Sequence, residues 1–200
     1  MLATAAVAAP RMPADDAEIL ERLAFRRSDP AAQELQALRR AHQAAPGDAP
    51  AAARLARRYF ELASAEGDPR YIGYAEAALK PWGGADAPTE VMLVRALLRQ
   101  YRHDFPPALE DLARVIERDP QNREAMFWRA ALYLVGADYD RARAECARME
   151  SVASRLTVLA CRSAADSVTG GARAAYGALS AALAAEPPRD PEFRVWICLL

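Results

Sequence analysis

Two hundred residues, 52% of them hydrophobic and 26% charged, are too apolar for a disordered chain and are enough for one ordinary core or a short array of repeated units. A formal net charge of −1, with no local run of Lys or Arg, removes the basic footprint expected of a nucleic-acid binder. No stretch approaches the roughly 20 apolar residues that a membrane-spanning helix needs.

Residues 1–13 open with an Ala-rich stretch ending Ala6-Val7-Ala8, which suits a small-residue processing site but lacks a positively charged start. They read as a signal remnant or a disordered tail. The expectation is export, to the periplasm of a bacterium, with a cytoplasmic chain as the alternative. Residues 14–200 read as a single all-α domain. DDAEILERL and PAAQELQALRRAHQAAP form a first helical pair, about 14–46, closed by Pro46. A second, about 49–82, carries Leu55, Ala56 and Tyr59 and then an elongated second half in which Pro69 suits a first helical turn.

The next two units, about 88–120 and 122–150, align without a gap at a period of 34 residues. Glu90 falls on Glu124, Met92 on Met126, Arg95 on Arg129, Ala96 on Ala130, Asp104 on Asp138, Phe105 on Tyr139 and Ala108 on Ala142. Small residues stand where two helices must approach closely, and the aromatic after the turn plugs the end of the pair. A fifth unit, about 152–187, breaks at Thr169-Gly170-Gly171 and ends at Pro187; Asp190-Pro191 then opens an unfinished helix, 190–200. About eleven helices and no strands follow.

In the 34-residue period, the small residue in each helix, the aromatic near the turn and the closing Pro120, the chain resembles the tetratricopeptide repeat (TPR) family. Among its members it is similar to uncharacterised exported bacterial ones. The resemblance implies an α-α superhelix, a right-handed solenoid of about four to five hairpins, whose first helices line a concave face that holds a protein or peptide partner. The chain departs from the family at Met92 and Met126, where a large aromatic is usual, and at Val115 and Met149, where a small residue is usual.

Arg95 and Asp111 are 16 residues apart, as are Arg129 and Glu145, so each unit can pair a guanidinium with a carboxylate across its hairpin. Arg162 is the aligned residue of the next unit, but its counterpart there, Ala178, has no charge; Arg162 is either rescued by Asp166 or free for a ligand. Cys146 and Cys161 lie on neighbouring helices, as a disulfide or as two buried free thiols. The concave candidates are Leu93, Leu97, Tyr101, Phe127, Trp128 and Ala131, an apolar floor, with Arg54 and Arg57 as a positive rim. The family's Lys, Arg and Asn carboxylate clamp is missing.

Catalytic chemistry is sparse. His42 and His103 stand in no metal-ligand spacing, and there is no G-x-S-x-G, P-loop or dinucleotide glycine pattern, so neither an enzyme nor a cofactor or metal site is expected. The leading expectation is a non-catalytic protein-interaction scaffold. The alternative is a structural or assembly protein that self-associates, or continues into further repeats, through Phe193, Val195, Trp196, Ile197 and Leu200; a part of a larger enzyme comes third. One local expectation concerns Pro106-Pro107: because each restrains the residue before it, the helix after Asp104 should begin one or two residues later than the one after Asp138.

Overall fold

The computed structural model describes residues 30–185, with Pro13, Asp15 and Glu18 as isolated positions before them. Apart from those three positions, the tail over 1–13, the helix expected over DDAEILERL and the stretch 190–200 lie outside the described residues. Among the described residues there are nine α-helices and no strand. They are α1 (Pro30–Ala44), α2 (Ala49–Glu66), α3 (Arg70–Leu79), α4 (Thr89–Tyr101), α5 (Phe105–Arg118), α6 (Arg123–Val135), α7 (Tyr139–Arg148), α8 (Arg155–Asp166) and α9 (Ala172–Ala185). Single helical turns extend α3 through Trp82 and α7 through Ser151, and α8 passes into α9 across a kink at Thr169 and Gly170, whose φ of 92° is left-handed.

Local chemistry sets the helix starts. Asp48 accepts the Ala51 N–H at 3.1 Å, Asn122 that of Ala125 at 3.0 Å and Ser154 that of Thr157 at 3.1 Å, each satisfying a donor with no partner inside its helix. Helix α2 stops at Gly67, whose φ of 67° is the left-handed conformation that glycine adopts without a Cβ clash.

The hairpins are α2/α3, α4/α5, α6/α7 and α8/α9, and each first helix also lies on the hairpin before it: α4 on α2 and α3, α6 on α5, α8 on α7. Alanines make the close approaches possible. Ala96 is 1% exposed and Ala108, Ala130 and Ala142 are 0%, so two helices meet along a seam with only methyl groups between them. Around that seam a single apolar core runs from Ala49 to Cys161, and a smaller one holds Leu156, Ala160 and Leu179.

The turns inside α4/α5 and α6/α7 are the same turn 34 residues apart. His103 and Ala137 both adopt the left-handed conformation, at φ 59° and 57°. The N–H groups of Asp104 and Asp138 then reach back to the carbonyls of Arg99 and Tyr133, both at 2.8 Å, closing the first helix. Helices α5 and α7 begin at equivalent residues, Phe105 and Tyr139, so the later start expected after Asp104 is incorrect. Pro106 and Pro107 fall within the first turn, where no earlier carbonyl exists for their rings to strike and no N–H is required of them. That turn geometry outweighs the preference of a pre-proline residue for extended backbone. The prolines act elsewhere: Asp138 caps the Arg141 N–H at 3.3 Å, whereas the side chain of Asp104 makes no capping bond.

Candidate functional site

In α4/α5 and α6/α7 a polar anchor sits between the two helices. Asp111 is fully buried and holds Arg95 with two bonds, Nε to Oδ2 at 2.8 Å and Nη2 to Oδ1 at 2.6 Å. Arg99 adds a third, Nη1 to Oδ2 at 2.7 Å. The remaining Arg95 nitrogen donates to the carbonyls of Trp82 at 2.7 Å and Gly84 at 3.0 Å. Between Arg129 and Glu145 there is one bond, Nη2 to Oε1 at 2.6 Å, and both Arg129 Nε and Glu145 Oε2 are buried without a hydrogen-bond partner. These four residues fix hairpins and offer little surface to a ligand.

Arg162 does not pair with Asp166. Its Nη1 lies 3.4 Å from Glu150 Oε1, while Asp166 is taken by Arg143 Nε at 2.8 Å. Arg143 also donates to the Thr169 hydroxyl. The bond to Asp166 raises the Arg143 pKa above its ordinary value. Residue 143 thereby ties α7 to α8 at a position that spacing within one hairpin does not point to. Beside it Cys146 and Cys161 are joined, with Cα atoms 5.7 Å apart, linking the same two helices.

The first helices come together on one face, where side chains of α2 reach those of α6 past the intervening α4. Arg57 donates twice to Glu124, at 2.7 and 3.1 Å, and Phe60 meets Trp128 edge-on with ring centroids 6.4 Å apart. Phe60 also meets Tyr101 at 6.4 Å, and Phe127 meets Trp128 at 6.2 Å. Phe60, Tyr101, Phe127, Trp128 and Ala131 are half-buried, and Arg54 is exposed.

Two of the sequence candidates are largely buried, because α4 is covered on several sides and not only one: Leu97, 1% exposed, is packed between α4 and its neighbours, while Leu93, 7% exposed, keeps an edge on a cleft between α2 and α4. Arg57 is not a free rim cation, since Glu124 neutralises it. Phe60 was missing from the candidates, although its aromatic type one position after Tyr59 on α2 was a usable signal.

Beside this face, Pro50, Ala53, Arg54, Arg57, Glu90, Leu93 and Val94 line a shallow cleft of about 310 Å³ between α2 and α4. Among the described residues no cluster of His, Cys, Asp and Glu could hold a metal ion. His42 and His103 stand apart, the latter in the α4/α5 turn against the Phe105 ring. Among the described residues no helix is long and apolar enough to cross a membrane.

No protein-family model matches the chain, and no curated protein sequence matches it. Solved structures do. The crystal structure of MamA, a TPR-type protein, superposes with a TM-score of 0.59 over 76% of this chain and 86% of that one, at 15% sequence identity. At that identity the likeness is one of fold, and the fold of this chain is an all-α, TPR-like superhelix.

Proposed function

We propose that the chain is a non-catalytic interaction scaffold that holds a peptide or protein partner against its concave face. The observation that carries this reading is the row of half-buried aromatic rings, Phe60, Tyr101 and Trp128, contributed by three successive first helices. Rings locked edge-to-face by one another present rigid apolar area at little entropic cost, the property of an interface anchor. Arg54, exposed in the cleft beside that row, adds a positive group, so the partner is one with an apolar anchor and an acidic neighbour. The Arg57–Glu124 pair spans the face as a fixed polar bar. It narrows the accessible floor to the α4–α6 side.

A peptide-display selection against the intact chain tests this. Selected apolar–acidic peptides should bind about 30-fold more weakly to Trp128→Ala, the loss expected of an anchor worth about 2 kcal/mol. Arg54→Glu should weaken them by a smaller factor, more at low salt than at high. Equal binding to Trp128→Ala and to the unaltered chain would remove the concave face as the site. The Cys146–Cys161 pairing and the small-residue stretch at Ala6-Val7-Ala8 support a place of work in an oxidising, exported setting. Titration under denaturing, non-reducing conditions should find one free thiol, Cys198; three would count against that setting.

A further inference from the structure

Two side-chain rungs join α2 to α6 across the face of the first helices. Arg57 meets Glu124; one helical turn further along each helix, Phe60 meets Trp128. The ion pair and the ring contact therefore lie roughly 5 Å apart along the face. The ion pair stays open to solvent, its two side chains keeping 33% and 40% of their surface. Each of its partners also lines a depression of its own. Arg57 stands in the cleft of about 310 Å³ between α2 and α4, with Arg54 and Glu90. Glu124 stands in a polar depression of about 470 Å³ at the start of α6, with Asp119 and Arg123. The first depression thus holds two cations against one acid, and the second two acids against one cation. The bar between them is a dipole, positive toward α2 and negative toward α6, and neither end is saturated. A guanidinium has more N–H donors than the two that Arg57 spends on Glu124, and each oxygen of that carboxylate can accept a further bond.

We infer that the partner is an extended segment carrying a basic residue as well as an acidic one, on opposite sides of its apolar anchor. It lies across the Arg57–Glu124 bar with its acid over the α2 depression and its base over the α6 depression. The inference rests on the scaffold reading above and names the chemistry that the same face selects. An extended chain advances about 3.3 Å per residue, so charges within a few residues of the anchor reach both sides while the anchor meets the ring of Trp128. Both new contacts add to the bar and leave it intact. A wholly acidic segment would run onto Asp119 and Glu124, and a wholly basic one onto Arg54 and Arg57; these like-charge contacts select against both.

Peptides selected by display on the intact chain, and then synthesised with their acidic and basic residues exchanged, test the inference. The selected peptides should carry both charges, and the exchange should weaken binding to the unaltered chain about tenfold or more. Arg57→Glu combined with Glu124→Arg rebuilds the bar with its dipole reversed, leaving one cation against two acids in the first depression and one acid against two cations in the second. On that chain the exchanged peptides should be the tighter binders. Should it lose its fold, Glu124→Gln serves: replacing the peptide's basic residue with Ala should cost about threefold or more on the unaltered chain and nothing on Glu124→Gln. The same preferred order on both chains would overturn the inference, as would an equal cost on both or selected peptides that ignore the exchange. If such peptides still lose affinity at Trp128→Ala, the scaffold reading stands and only the charge assignment falls. If no peptide is selected, both fall.

Discussion

The hairpins α4/α5 and α6/α7 are the same 34-residue pattern solved twice. The first has a fully buried Asp111 gripped by Arg95 and Arg99, with the spare guanidinium nitrogen of Arg95 satisfied by two carbonyls. The second replaces Arg99 with Tyr133 and lengthens the acid to Glu145, leaving one bond and two buried atoms without partners. Its second helix is also shorter, 10 residues against 14, with Cys146 and Glu150 where the first has Leu112 and Ile116. What the second hairpin lacks inside, it gains from its neighbour: Cys146 is bonded to Cys161, and Arg143, in place of Leu109, pairs with Asp166. A repeat array can move its stabilisation from within a unit to the boundary between units without changing the backbone, since stability is shared between repeats and their interfaces.

The difference can be broken at the polar anchors first. Asp111→Ala strands two guanidinium groups, one of them nearly dry, and should cost roughly 3–5 kcal/mol in denaturant unfolding. The next largest effect is at the unit boundary. Cys146→Ser together with Cys161→Ser should cost about 3 kcal/mol, the chain-entropy value for a closed loop of about this 15-residue separation, with a lower midpoint in urea. Glu145→Ala removes a single charged bond and should cost about 1.5–3 kcal/mol, less than Asp111→Ala. A reversed order would show that the unpartnered Arg129 and Glu145 atoms are satisfied by water in solution.

The smallest effects separate the two turns. Asp138→Ala removes a cap and should cost about 1 kcal/mol. Asp104→Ala removes no capping bond and should stay within about 0.5 kcal/mol. Similar losses at both positions would mean that Asp104 stabilises its helix by some means other than capping.

Periodicity made most of the architecture legible. The 34-residue register, the small residues at Ala96, Ala108, Ala130 and Ala142 and the helix-closing prolines all report on the spacing that packing of helix on helix enforces. The site was less legible. One helix of such an array touches neighbours on several sides, so a stripe of apolar residues does not say which of them stay exposed; Leu97 is packed inside while Phe60 and Trp128 are half-buried. Contacts between units are equally hard to read. Arg57 meets Glu124 across 67 residues and Arg143 meets Asp166 across 23, separations set by curvature and not by any local pattern. The Asp104 start failed for a different reason: the pre-proline preference is real, but the turn at His103 and its backbone bond from Asp104 fix the helix origin first.

The first repeat is held from within and the second at its boundary. Hydrogen exchange before and after reduction of the disulfide measures this directly. Reduction should speed exchange in α6 to α9 and leave α4 and α5 at their original rates, because the Asp111 network is untouched. Equal acceleration across α4 to α9, or none anywhere, would contradict the claim.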